Sequence, residues 1–234
     1  MNSDDFDVWW RERGKDAQLP QMRAHLEKAL LQKPSRDIEY SILWRLARFH
    51  HFAAMKTGEA KNDQTKVARG HFVTGEQRAK RAQDLRKAVQ RESTEADFWH
   101  AVNAIEAARL TSQFATLWVL PRATRTLQSV AECDEEFHFA GAQRVLGRIT
   151  HLKPKFLGGG ARKSLSWFQD ALDVARNSTT LLYYAQALID ANENDEARKT
   201  LREIVAQGVD YEWKWEQARD KTVAARLLKN EPRA

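Results

Sequence analysis

The chain has 234 residues with 38 Lys and Arg against 32 Asp and Glu, and its single cysteine, Cys133, excludes both an intramolecular disulfide and a cysteine-based zinc site. Its longest apolar stretch, around residues 114–120, is far shorter than the roughly 18–20 residues of a membrane-spanning helix. The 10 glycines and 5 prolines are few for this length, which favours a mostly helical chain.

Apolar residues at helical spacing predict helices along the whole chain. In chain order the predicted helices cover residues 4–14, 18–33, 37–56, 62–92, 93–108, 114–133, 136–152, 161–176, 179–191, 194–207 and 211–229. Gly70 and Gly75 weaken the middle of the 62–92 helix, so we expect this segment to be the least packed part of the chain. Pro121 predicts a kink or a fresh start within 114–133.

Repeated pairs of apolar and small residues indicate that these helices form hairpins. In each pair a leucine or phenylalanine is followed three positions later by a small or aliphatic residue: Leu26/Ala29, Leu85/Ala88, Leu127/Val130, Phe168/Ala171 and Leu201/Ile204. The last two pairs lie 33 residues apart, which is close to the tetratricopeptide period of about 34. Such repeats build binding surfaces, so the pattern predicts a binding protein without enzymatic activity.

The last repeat fits the tetratricopeptide register best. Its apolar and small positions are occupied by Leu181, Tyr184, Ala185, Leu188, Ala197, Leu201 and Ile204. Met22, Leu26 and Ala29 occupy the matching positions of the first repeat, and Pro34 ends its second helix. We predict an all-α, tetratricopeptide-like α-solenoid that forms a single domain over residues 1–234. Residues 1–80 would hold the N-terminal repeats with an insertion, and 211–234 a capping helix.

The net charge of +6 is concentrated in one segment. Residues 56–91 contain ten Lys and Arg against four Asp and Glu, so the rest of the chain sums to zero. A basic segment of this kind attracts an acidic protein or an anionic membrane surface, and the other interpretation is a solvated helix face. No nucleic-acid recognition motif accompanies it. The segment supports an alternative function, a cytoplasmic adaptor or assembly factor that binds an acidic partner.

Sequence motifs of catalysis, metal binding and cofactor binding are absent. His50 and His51 are adjacent, so they point to different faces of a helix and do not suit one ion. The run from Gly158 to Ser164 resembles a phosphate loop but has Arg162 before Lys163 where the motif needs glycine. Gly159, Gly160, Arg162 and Lys163 remain candidates for binding an anion at a helix start, against the simpler interpretation of a spacer loop.

The chain has eight tryptophans, and we interpret most of them as core residues. Trp99 and Asn103 lie one helical turn apart, so a ring and an amide could share a concave face that binds a ligand.

From Phe98 onward the order of residues resembles that of a known protein family. It is carried by Phe98–Asn103, Pro121, Phe139–Arg148, Leu152–Pro154, Leu181–Ala185 and Asp195–Arg198, and most specifically by Gly141–Arg148. Over residues 80–210 the chain resembles the T component of TRAP transporters, a tetratricopeptide-like family. The first 80 residues show only the repeat pattern.

The resemblance implies an all-helical protomer, often a periplasmic lipoprotein, that can form a homotrimer and pair with the substrate-binding subunit of a TRAP system. It also implies a small apolar or carboxylate ligand. Arg144, in the most specific motif, is the candidate for an anionic ligand, with a structural ion pair as the equal alternative. Tyr184 is a further ligand candidate. The acidic residues 1–5 carry no signal peptide, so a cytoplasmic location and the prior removal of an export segment both stay open.

Overall fold

The structure, a computed structural model, describes residues 9–15, 17–58, 64–88, 90 and 92–230. Ten long helices follow one another: α1 Gln18–Leu31, α2 Arg36–Gly58, α3 Thr65–Ala88, α4 Thr94–Arg109, α5 Gln113–Cys133, α6 Phe137–Leu152, α7 Ala161–Val174, α8 Ser178–Asp190, α9 Asn194–Ala206 and α10 Lys214–Asn230. Residues 9–11 are also helical, and the rest of the predicted 4–14 helix lies largely outside the described residues.

The predicted all-α helical-repeat fold is confirmed, since helices adjacent in sequence pack in pairs and the described residues form no strand. The chain divides into two compact units. Unit 1 contains Lys15–Asp134 and unit 2 contains Glu135–Ala234 with Trp10–Gly14. The single domain over residues 1–234 stays a prediction.

In unit 1 α3 lies against both α2 and α4. Its buried face carries Ala68, Phe72, Gly75, Ala79 and Ala82. The expectation that this segment is the least packed was wrong, because its small residues allow neighbouring helices to approach closely. The expected break at Pro121 is also absent as a helix end, since α5 runs continuously through it.

The two glycines of α3 have opposite surroundings. A Cβ at Gly75 would lie 2.7 Å from Oδ1 of Asn103 on α4, whereas a Cβ at Gly70 would meet nothing within 4 Å. Asn103 is fully buried, so it has no room to move away. Gly75 is therefore where α3 and α4 come into close contact.

We expect Gly75→Ala to lower the free energy of unfolding by about 1–3 kcal/mol through overpacking. The control Gly70→Ala is expected to raise it by about 0.5–1 kcal/mol, because alanine favours a helix and the site is open. Urea unfolding followed by circular dichroism measures both values. Equal effects of the two changes would show that α3 and α4 do not meet at Gly75.

Unit 2 contains the best-predicted hairpin. α8 and α9 begin and end within one residue of the predicted 179–191 and 194–207. Of the apolar and small positions assigned to this repeat, Leu181, Ala185, Leu188, Ala197, Leu201 and Ile204 are buried, and Tyr184 packs on the core half-buried. The predicted last helix begins at Lys214, three residues later than expected.

The start of α6 departs from a regular right-handed helix. His138, Phe139 and Ala140 have φ values of 53°, 58° and 54°, which form a left-handed turn of three residues that are not glycine. Such a conformation costs about 1–2 kcal/mol per residue. Neighbouring contacts in unit 2 must therefore hold it.

Candidate functional site

α5 exposes an unusual number of large apolar side chains. Phe114 is 78% exposed, Leu117 50% and Trp118 86%. Their spacing of three and four residues places them on one side of the helix, and Pro121 extends this row by one turn and is also exposed. We call Phe114, Leu117, Trp118 and Pro121 the α5 stripe.

The other side of α5 fixes the stripe in place. Ala123, Leu127 and Val130 are buried and attach the helix to unit 1. At about 100° per residue, they lie on the side opposite the stripe. The helix is further set at its start by Ser112, whose Oγ accepts a hydrogen bond from the backbone N–H of Ala115 at 3.0 Å.

Two cations extend the stripe toward the C-terminal half of α5. Arg122 and Arg125 are both exposed, and neither forms a hydrogen bond or an ion pair within the part of the chain that the structure describes. An apolar centre with a charged rim is the usual composition of a protein interface. Trp118 is therefore one of the tryptophans outside the core, and the periodicity of the sequence shows the apolar face but not what covers it.

Part of the positive charge of the basic segment is neutralised by carboxylates within unit 1. Arg78 donates to both carboxylate oxygens of Glu27 at 2.8 and 3.0 Å. Three further cations pair with carboxylates: Lys80 with Asp84, Arg81 with Glu39 and Arg86 with Asp37. Cations already paired attract an acidic partner less strongly, which weakens the support for the adaptor alternative.

Arg144 is buried in unit 2, with 5% of its surface exposed. Its Nη1 donates to the carbonyl oxygen of Phe139 at 2.8 Å, and its Nη2 donates to that of His138 at 3.2 Å. Its guanidinium lies 5.3 Å from the centre of the Trp213 ring. Burial lowers the pKa of Arg144 to about 10, so it keeps its charge at pH 7. The described contacts hold the left-handed turn, and anion binding by Arg144 stays a prediction.

The structure places the other predicted ligand residues in packed surroundings. Trp99 and Asn103 are both buried in unit 1, and Nδ2 of Asn103 donates to the carbonyl oxygens of Trp99 and Ala47 at 2.7 and 3.3 Å. In unit 2 the Tyr184 hydroxyl accepts a hydrogen bond from Nε2 of Gln169 at 3.3 Å. Ligand binding by these side chains stays a prediction.

In the glycine loop before α7, the backbone N–H groups of Gly159 and Gly160 donate hydrogen bonds to nearby backbone carbonyls. The N–H of Gly159 donates to the carbonyl of Pro154 at 3.1 Å and that of Gly160 to the carbonyl of Thr150 at 2.8 Å. A Cβ at Gly159 would lie 2.1 Å from the carbonyl oxygen of Lys153, so the loop needs glycine for steric reasons. Arg162 approaches Glu193 at 3.7 Å and Lys163 is exposed. These contacts favour the spacer loop, and anion binding here stays a prediction.

A histidine pair that the sequence analysis did not predict lies in unit 1. The Nδ1 atoms of His50 on α2 and His71 on α3 lie 3.0 Å apart. His50 is 2% exposed, and burial lowers its pKa to about 3. The pKa of His71 is lowered by burial and then by the charge of Arg23. The two residues are 21 positions apart on different helices, so their spacing in the sequence does not predict the contact. The apolar residues around each histidine are the signal that predicts its burial.

In residues 9–15, 17–58, 64–88, 90 and 92–230 no group of three or more His, Cys, Asp or Glu is arranged to hold a metal ion. Over the same residues no helix has the length and apolarity needed to cross a membrane.

These features define a class of protein, an all-helical repeat protein with an exposed apolar helix face. The model of the TRAP transporter T-component family matches residues 45–233 of this chain. The chain belongs to that family, and the match begins well before the predicted boundary at residue 80. Members of this family are components of a transporter, and the family is not a known class of enzymes. Among curated proteins no match to this chain was found.

Proposed function

We propose that this protein is an accessory component of a TRAP transporter and docks the substrate-binding subunit of that transporter through the α5 stripe. Family membership supports the transporter association. The observation that carries the docking surface is the exposure of Phe114, Leu117 and Trp118 on one side of a helix whose other side is anchored in unit 1.

The chemistry of the stripe defines the complementary surface of the partner. Exposed aromatic side chains that become buried on binding supply most of the affinity of an interface. Arg122 and Arg125 add two positive charges beside the apolar centre. The matching surface on the substrate-binding subunit is therefore an apolar depression with acidic residues on one side.

We expect Trp118→Ala to weaken binding of the substrate-binding subunit by roughly 30-fold or more, because a central tryptophan contributes about 2 kcal/mol or more to such an interface. Its side chain is exposed in the free protein, so the free energy of unfolding should change by less than about 0.5 kcal/mol. Biolayer interferometry with the purified subunit from the same organism measures the affinity.

Leu31→Ala is the matched control, since Leu31 lies on α1 in the same unit and is 82% exposed. Its affinity should equal that of the unchanged protein. Equal binding by Trp118→Ala and Leu31→Ala would contradict docking through the stripe. Loss of self-association in place of partner binding would show that a second copy of the chain occupies the stripe.

The salt dependence of binding separates this proposal from the adaptor alternative. Binding through the α5 stripe is mainly apolar, with Arg122 and Arg125 only at its edge, so it should weaken slightly between low and physiological salt, whereas binding by the basic segment would collapse over the same range. A homotrimer and a periplasmic location are further expectations drawn from the family, and native mass spectrometry of protein from its own host tests the first.

A further inference from the structure

A groove with a volume of about 760 Å³ opens in unit 1 between α1, α2 and the start of α3. This volume lies within the range typical of small-molecule sites, about 300–1,000 Å³. Its apolar lining comes from Leu19, Pro20 and Ala24 on α1 and from Phe49 and Ala53 on α2. The lining suits a hydrocarbon chain.

Among the described residues, two cations and one carboxylate line the groove. Arg23 and Lys56 line it together with Glu27. The carboxylate of Glu27 accepts two hydrogen bonds from Arg78, so the positive charge of Arg78 neutralises it. Arg23 is exposed, and no hydrogen bond or ion pair engages it within the described part of the chain. Its charge still reaches the groove, because it contributes to the lowered pKa of His71.

The contact between His50 and His71 determines which ring nitrogen of each histidine carries a proton. Nε2 of His50 is buried and has no hydrogen-bond partner among the described residues. A buried N–H without an acceptor is rarer than a buried acceptor without a donor. We therefore assign the proton of His50 to Nδ1, which donates to Nδ1 of His71 across 3.0 Å.

This assignment determines the tautomer of His71. Its Nδ1 accepts a hydrogen bond, so a neutral ring carries its proton on Nε2, on the other side of the imidazole. His71 lines the groove. Among the described residues the groove is therefore lined by the cation Arg23 and by His71, whose Nε2 carries a proton, while the carboxylate of Glu27 is paired with Arg78.

We propose that this groove binds a small organic anion, a carboxylate attached to an apolar chain of medium length. Arg23 donates charge-assisted hydrogen bonds to the carboxylate, His71 donates from Nε2, and the chain lies along Phe49 and the apolar residues of α1. This site is separate from the α5 stripe and does not depend on the docking proposal.

Octanoate is the probe that tests this site. Titration of ¹⁵N-labelled protein, followed by heteronuclear NMR, should shift the amide signals of residues around Arg23, Phe49 and His71. Octanol has the same chain without the charge and should bind roughly tenfold or more weakly, because it cannot replace the charge-assisted hydrogen bonds.

Arg23→Gln should weaken octanoate binding by roughly tenfold or more while leaving the fold intact, because Arg23 is exposed. Arg36→Gln is the matched control, since Arg36 is exposed at the start of α2 and does not line the groove. It should bind octanoate as the unchanged protein does. Equal affinity for octanol and octanoate, unchanged affinity in Arg23→Gln, shifts confined to other regions, or absence of binding at millimolar octanoate would each overturn the proposal.

Discussion

Replacing Arg144 by alanine is expected to lower the free energy of unfolding by about 2–5 kcal/mol, because two buried carbonyl oxygens each lose a charge-assisted hydrogen bond, at about 1–3 kcal/mol each. The change leaves the carbonyl oxygens of His138 and Phe139 without their donor. It also removes the cation near the Trp213 ring. The left-handed turn at residues 138–140 then loses the contacts that offset its conformational cost.

The control for this change is Arg148→Ala, one turn further along α6. Arg148 is half-buried, donates to Gln186 at 3.1 Å and lies 4.8 Å from the centre of the Tyr183 ring. Its removal should cost about 1 kcal/mol, since these contacts are partly exposed. Urea denaturation followed by tryptophan fluorescence measures both variants. A cost below 1 kcal/mol for Arg144→Ala would contradict its structural role.

The same variant also tests the predicted ligand role of Arg144. If Arg144 contacts only the backbone of its own unit, the folded Arg144→Ala protein should bind carboxylates and the partner protein with unchanged affinity. Weakened binding by folded protein would support the ligand role.

Acidification from pH 7 to pH 5 is expected to lower the free energy of unfolding through two histidines of unit 1. Burial lowers the pKa of His50 to about 3 and that of His100 to about 4. The unfolded chain binds these protons near the ordinary value of about 6.5, so below that pH it holds more protons than the folded chain. Stability is therefore full above pH 6.5 and falls as the pH drops toward 4. At pH 5 the two groups together account for a loss of about 2–4 kcal/mol.

The variants His50→Gln and His100→Gln test this assignment. Each should remove a clear part of the acid-dependent loss, whatever its effect on stability at pH 7, and His71, whose pKa burial also lowers, adds a further part that both variants retain. The groups that act on His50 are His71, Arg23 and Arg78, and the largest charge effect on His100 comes from Arg122. Urea midpoints at pH 5, 6 and 7 give the slope. Slopes equal to that of the unchanged chain in both variants would contradict the assignment.

The repeat pattern predicted the helices well, because helix periodicity is local information. Leu181, Ala185 and Leu201 had to face a neighbouring helix, and they are fully buried. The left-handed turn at residues 138–140 was not predictable, since it contains no glycine and depends on the distant contact between Arg144 and Trp213.

The candidate sites were less accessible to sequence reasoning. The pairing of His50 with His71 depends on how α2 crosses α3, and spacing along the chain does not determine a crossing. The stripe was visible as an apolar run, but its exposure depends on which side of α5 packs against α4. The positive charge of the basic segment was visible in the sequence, but its pairing was not. Its carboxylate partners Glu27, Asp37 and Glu39 lie on other helices, α1 and α2.

We propose that the α5 stripe contacts the substrate-binding subunit of a TRAP transporter. Site-specific photocrosslinking in the host organism tests it most directly, with a benzophenone amino acid in place of Trp118 and, as the control, in place of Leu31. We predict a crosslinked product from position 118 that mass spectrometry identifies as that subunit, and no such product from position 31. Crosslinks from position 118 only to other proteins or to a second copy of this chain, or equal products from both positions, would contradict the claim.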